Sequence, residues 1–198
     1  MKIIIVGATG TVGKKITAFF EKEHEVVKVG SKSGDLQADI TSPASVEALF
    51  KKTGPFDALV VAAGGTHFGP LGAMTDADFR KGLDNKLMGQ INLVLIGQHY
   101  IRPKGSFTLI AGNVSEDPVR MAANVSVVNA GVEAFARAAA IELEQGVRIN
   151  AVSPGVVEDS PGYFPFFPGD IPVTMDRVVQ AYVKSVLGAN TGQVIKVV

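Results

Sequence analysis

Ile3-Ile4-Ile5-Val6-Gly7-Ala8-Thr9-Gly10-Thr11-Val12-Gly13 is the stretch that decides the fold. An apolar, β-branched run feeds a turn with glycine at every third position, and Thr11–Glu23 then carries an amphipathic helical pattern. A buried strand turning through glycines into a helix N-terminus builds a site for a dinucleotide pyrophosphate. The missing side chains let the backbone approach the phosphates, and the first-turn N–H groups and helix dipole attract their charge. The spacing is GxxGxxG rather than GxGxxG. A tight strand-to-helix turn without a ligand has the same glycines, so the strand before and the helix after favour nucleotide binding. A branched side chain at Gly13 is expected to abolish that binding and leave the fold intact.

Outward from this turn, apolar runs and helical patterns alternate. Runs with strand character occupy Lys2–Val6, Glu25–Val29, Ala58–Ala62, Ser106–Ile110, Arg148–Val152 and Gln193–Val197. Most are continuously apolar, as parallel strands covered on both faces must be. Between them, Ser42–Lys52 opens with a capping serine and Pro43 at the first helical position. Asp76 to about Tyr100 sets Phe79, Leu83, Leu87, Ile91 and Leu95 four apart as one apolar stripe. Ala122–Gln145 is alanine-rich, and Thr174–Leu187 completes the series. The pattern predicts an α/β fold: a doubly wound, mostly parallel sheet of Rossmann type, with residues 1–198 as a single nucleotide-binding domain.

Composition narrows the function. Nineteen basic side chains balance nineteen acidic ones, so no net field recruits nucleic acid or an anionic membrane. There is no cysteine, which removes disulfides and thiolate chemistry. Gly7 ends the first apolar run before a signal-peptide core can form, no stretch reaches spanning length, and a soluble cytoplasmic protein is expected. No His/Asp/Glu cluster has metal-ligand spacing, so no metal is expected. Residues 153–172 break the alternation with five prolines beside Tyr163, Phe164, Phe166 and Phe167. Following a strand at the carboxyl edge of the sheet, this segment reads equally as a lid over a substrate or as a packed loop or subunit contact.

In order and spacing, several further marks resemble the short-chain dehydrogenase/reductase superfamily over essentially the full chain. Asp39-Ile40 stands where that family has a short third strand whose aspartate meets the adenine. Ala62-Ala63-Gly64 replaces its Asn-Asn-Ala-Gly, Arg148-Ile149-Asn150-Ala151-Val152-Ser153-Pro154-Gly155 is close to the strand that lines the nicotinamide, and Thr191-Gly192-Gln193-Val194-Ile195 matches its terminal strand. The resemblance implies cofactor contacts from Gly7, Thr9, Gly10, Thr11, Val12 and Gly13; from Asp39, Ile40, Ala62, Ala63 and Gly64; and from Asn129, Pro154, Gly155, Val156 and Val157.

The family's catalytic Asn, Ser, Tyr and Lys are replaced. Val125 stands at the tyrosine position, Asn129 at the lysine position, Gly112 at or beside the serine, and Lys86 at the asparagine, with Asn85 next to it. No tyrosine occurs between Tyr100 and Tyr163, so no shift of alignment restores the pair. Valine cannot exchange a proton and asparagine carries no charge, so the usual mechanism does not transfer. The remaining candidates for acid/base work are Lys86, whose pKa falls if it is poorly hydrated; His67, on a loop at the carboxyl edge; and Tyr163, on the lid segment. Each also has a bland reading, a packed stem or an exposed side chain. Asn113 and Ser115 are placed to hold a carbonyl oxygen, and Ser126 and Asn129 to bond the nicotinamide ribose.

The second strand ends Lys28-Val29-Gly30-Ser31-Lys32-Ser33, with no carboxylate to repel a 2′-phosphate. Ser31 and Lys32 therefore favour NADP(H) over NAD(H). Two functions fit: an NADP(H)-dependent reductase of a small carbonyl compound with an altered proton donor, or an inactive NADP(H)-binding sensor without a substrate. The family also pairs its helices across two-fold axes. Ala130, Ala134, Ala138 and Ala139 suit close helix approach, so a homodimer or homotetramer is expected.

Overall fold

The computed structural model describes residues 1–198. Seven parallel strands form one sheet in the order β3-β2-β1-β4-β5-β6-β7. They are β1 (Lys2–Val6), β2 (Glu25–Gly30), β3 (Leu36–Gln37), β4 (Phe56–Val61), β5 (Ile101–Ile110), β6 (Arg148–Pro154) and β7 (Val194–Val197). The strand order reverses between β1 and β4, which opens a crevice beyond their carboxyl ends.

Both faces of the sheet are covered, and β1 shows why its sequence is apolar throughout. Ile4 and Val6 pack into a core shared with α2 (Pro43–Thr53), α4 (Met88–Gly97) and α5 (Ala123–Glu142). Ile3 and Ile5 pack on the other face against α1 (Thr11–Phe20) and α6 (Met175–Leu187). Tyr182 of α6 lies wholly within that second core, and its hydroxyl donates to the Val61 carbonyl at 2.9 Å. Burial pushes this phenol far above its ordinary value. Ser42 caps α2 as expected, accepting from Ser45 N–H at 3.3 Å with Pro43 following.

Two expectations change. The third strand is the two-residue Leu36–Gln37, and Asp39-Ile40 follows it; Asp39 Oδ1 instead accepts from the N–H and hydroxyl of Thr41, at 2.9 and 2.7 Å. The long helix from Asp76 is interrupted. It runs as α3 (Asp76–Gly82), then a π-helical turn at Leu83–Leu87, then α4, and β5 already begins at Ile101. An inserted residue rotates the helix faces, so Phe79, Leu83, Leu87 and Ile91 are only partly buried and Leu95 is 49% exposed. Lys86, Gly89, Gln90 and Leu93 face inward instead.

Gly13 packs more tightly than the sequence suggested. A Cβ there would lie 1.9 Å from the Gly7 carbonyl oxygen and 3.0 Å from Ala8 Cα, both backbone atoms. The expectation of an intact fold in a Gly13 variant therefore gives way, because helix and strand cannot both keep their places. Gly13→Ala is expected to lose about 1–3 kcal/mol of stability in a denaturant titration, the usual cost of overpacking; an unchanged midpoint would refute the close packing.

Candidate active site

At the carboxyl ends of β1, β4, β5 and β6 lie two neighbouring cavities; Gly64 of the first packs on the stem of Lys86, which lines the second. A Cβ at Gly64, whose φ is +128°, would lie 2.6 Å from Lys86 Cγ. The first cavity, about 470 Å³, is lined by Gly7, Thr9 and Gly10, by Ser31 and Lys32, by Asp39 and Ile40, and by Ala62, Ala63 and Gly64. The second, about 250 Å³, is lined by Val12, Asn129, Pro154, Gly155, Val156 and Val157 together with Lys86, Val125 and Tyr163. Thr11 and Gly13 line neither: Thr11 opens α1 and Gly13 is buried against the Gly7 carbonyl.

The first cavity fits a nucleotide by its backbone. Gly7 has φ +86°, and a Cβ there would strike the Ala62 carbonyl at 2.5 Å. Gly10 precedes α1 and offers no side-chain cap, and no acidic residue occupies the first turn. The N–H groups of that turn thus remain for an anion. Hydroxyls of Thr9 and Ser33 meet at 2.9 Å across the cavity rim, beside Ser31 and Lys32.

In the second cavity Lys86, Asn129 and Gly112 interlock. Lys86, in the π turn, is 8% exposed; its Nζ donates to Asn129 Oδ1 at 2.7 Å and to the Ala111 carbonyl at 3.0 Å. Burial pulls this ammonium down to about 8, against the opposing pull of the Glu133 carboxylate. The ammonium fixes Asn129 with its oxygen inward, which turns Nδ2 toward Gly112. A Cβ at Gly112 would lie 2.8 Å from Nδ2, so a serine does not fit there while Asn129 holds Lys86. Val125 joins Val114 and Ala122 in a small apolar cluster with Phe68 and Phe167. The 3₁₀ turn Pro161–Phe166 lies over this cluster, with the rings of Tyr163 and Phe166 at 5.8 and 5.4 Å from that of Phe68.

The other candidates lie elsewhere or are engaged. His67 lines neither cavity. Its N–H donates to Asn124 Oδ1 at 2.9 Å, and its Nε2 lies 4.0 Å from Asp78. Tyr163 borders the second cavity but is half exposed. Ser115 is not free to hold a carbonyl, since its Oγ sits 2.8 Å from a Glu133 oxygen. Ser126 has a buried hydroxyl without a partner and lines neither cavity. No group of His, Asp and Glu side chains is arranged to hold a metal ion.

Glu133 was missed in the sequence, where one glutamate in an alanine-rich helix reads as solvated. The available signal was spacing: Val125, Asn129 and Glu133 are four apart, on one face of α5.

The Lys86 environment has a consequence for stability. Its folded pKa of about 8 lies below the ordinary 10.5, so above pH 8 the unfolded chain binds more protons at this group. Its cost to folding is fully present below pH 8 and is relieved as pH rises toward 10.5. Between pH 8 and 9.5 the native chain is expected to gain stability relative to Lys86→Met, measured by urea unfolding. A constant difference across that window would place the ammonium in water.

Comparison with known proteins agrees with this geometry. The family model described as enoyl-(acyl carrier protein) reductase matches residues 12–162. The protein lin1944 from Listeria innocua is similar in structure over 100% of both chains, at 43% identity and a TM-score of 0.98. A small-chain dehydrogenase in complex with NADPH is similar over 100% of this chain and 96% of its own, at 25% identity and a TM-score of 0.87. Among curated proteins, an indene-carboxyl-CoA reductase of Mycobacterium tuberculosis is 32% identical over 153 residues, 68% of this chain and 58% of its own. A peroxisomal 2,4-dienoyl-CoA reductase of Arabidopsis thaliana is 26% identical over 70% of this chain and 50% of its own. The matched stretch thus spans about half the length of these curated relatives. With its parallel sheet, glycine turn and cleft, the chain belongs to the short-chain dehydrogenase/reductase superfamily of oxidoreductases.

Proposed function

We propose that this protein binds NADP(H) and reduces a small, uncharged carbonyl compound, with Lys86 as the proton donor. The observation that carries the reading is the interlocked set Lys86, Asn129 and Gly112. Random loss of a catalytic pair leaves unrelated side chains. Here a buried ammonium reaches the cleft from the opposite helix, and the other two positions accommodate it. Gly7–Gly13 would hold the pyrophosphate, and Ser31 and Lys32 the 2′-phosphate, a preference that the NADPH complex of the similar dehydrogenase also favours.

When bound, the reduced nicotinamide supplies a hydride to the carbonyl carbon. The chain's own work is to place that carbon and to supply a proton to the oxygen. Val125, Val156 and Phe167 give the second cavity apolar walls, and the Asn129 amide, which also lines it, would donate to a ligand oxygen. Lys86 Nζ gives up one proton to the developing alkoxide and is reprotonated from solvent. At neutral pH the ammonium form predominates, because its pKa of about 8 lies just above.

One observation favours the second reading, a nucleotide-binding sensor: Val125 puts a methyl-rich wall where the family has its phenol. NADPH oxidation, assayed with a panel of neutral ketones and aldehydes, separates the two. Under the reductase reading Lys86→Met lowers turnover by ~10² or more, with NADPH affinity nearly unchanged. The parent's rate is level below pH 8 and falls above it, as the donor loses its proton. Full activity in Lys86→Met overturns the assignment, and NADPH binding without turnover of any carbonyl favours the sensor.

Assembly is proposed on a separate observation. Val127, Ala130, Ala134, Ala138 and Ile141 form an exposed stripe along α5, with Ile141 87% exposed, and Met88 and Leu95 of α4 are also exposed. A stripe of this kind suits a second copy in a homodimer or homotetramer. Light scattering at micromolar concentration is expected to give a multiple of 20.7 kDa, and a monomer mass rejects the proposal.

A further inference from the structure

Lys86 and Glu133 are the two charged side chains that the fold buries, 8% and 4% exposed; Lys86 lines the second cavity, and Glu133 lies behind its wall. They form no ion pair at contact distance. Glu133 Oε1 instead accepts from Ser115 Oγ at 2.8 Å and from Ser153 Oγ at 2.9 Å. Its Oε2 lies 3.9 Å from Nη2 of the half-exposed Arg137. Ser115 belongs to the 3₁₀ turn after β5, and Ser153 to the end of β6. One carboxylate oxygen thus ties together two neighbouring strand ends, and the turn it holds includes Gly112, Asn113 and Val114, which line the second cavity.

A buried carboxylate answered by two hydroxyls and a loosely placed guanidinium costs stability; an apolar residue or a glutamine would fill the space more cheaply. Its presence therefore asks for a role. Asn129, which fixes Lys86 Nζ, stands one helical turn before Glu133 on the same face of α5. Among the elements packed around Lys86, the Gly64–Gly65 turn and the end of β5 offer no titratable group, and Asp84 on its own segment is exposed. On α5, Glu133 is the acid and Arg137 lies a turn further out. The nearby Lys196 and Glu116 pair with each other at the surface.

We propose that Glu133 is the positioning residue of this cleft: its carboxylate clamps the Gly112–Ser115 turn onto β6 and supplies the counter-charge that keeps Lys86 an ammonium. The role rests on the assignment of Lys86 as donor, and it is tested by a measurement that needs neither turnover nor bound cofactor. Glu133→Gln keeps the volume and one acceptor oxygen and removes the charge. With lysine labelled at its ε-carbon, NMR follows the titration of Lys86 in the ligand-free chain. Glu133→Gln is expected to raise the acid constant of Lys86 about threefold or more, and Glu133→Asp to restore part of the difference.

Ser115→Ala with Ser153→Ala leaves the charge and removes the clamp. In that variant the amides of residues 112–115 are expected to exchange about tenfold faster, with the Lys86 titration nearly unmoved. An unchanged titration in Glu133→Gln overturns the counter-charge role. Unchanged exchange in the serine variant overturns the clamp, and decides the matter if Glu133→Gln fails to fold. Loss of catalysis by the parent in every carbonyl assay would sink the donor assignment alone, because the titration is read without substrate.

Discussion

An ammonium taken out of water must be given oxygen atoms in return, and much of the cleft follows from how that requirement is met at Lys86. Two acceptors lie at 2.7 and 3.0 Å, one from an asparagine side chain and one from the carbonyl after β5. The π turn at Leu83–Leu87 brings the stem inward, Gly64 leaves room for it, and Gly112 leaves room for the amide that receives it. Removing the ammonium would leave a buried amide oxygen and a backbone carbonyl unanswered, at about 1–3 kcal/mol for each unsatisfied group. Three of the four replaced positions, Lys86, Asn129 and Gly112, therefore form one arrangement.

The sheet sets the stage on which this happens. The reversal of strand order between β1 and β4 places the glycine turn and the Ala62–Gly65 segment on either side of the crevice. Close backbone packing at Gly7 and Gly13 brings the first turn of α1 to its edge. Buried hydroxyl and amide groups then hold strands and helices in relation: Tyr182 to β4, and Thr108 to Ser185 at 2.7 Å between β5 and α6. Such contacts fix the cleft geometry within which one buried cation can act.

Much of this was written in local sequence. Continuous apolar runs marked the strands because both faces are covered, and Ser42-Pro43 marked a helix start through capping chemistry. The cleft residues were recognisable by order along the chain. What local pattern could not show was the consequence of packing. The four-residue stripe from Phe79 to Leu95 assumed an uninterrupted helix, whereas contact with Asn124 at Gly82 and the π turn rotate the face that is buried. His67 looked free because Asp78, its neighbour in space, lies further along the chain in the first turn of α3. Glu133 looked solvated because Ser115 and Ser153, which bury it, come from segments 18 and 20 residues away.

The central proposal is that the two neighbouring cavities together hold one NADPH, between the glycine turn and the Lys86–Asn129 pair. Two-dimensional amide NMR with saturating NADPH tests this most directly. The account predicts shifts in the backbone amides of Thr11–Gly13 and Ser31–Ser33 and in the side-chain amide of Asn129, all at the same ligand concentration. Shifts confined to residues outside both cavities, with the Asn129 side chain unmoved, would contradict it.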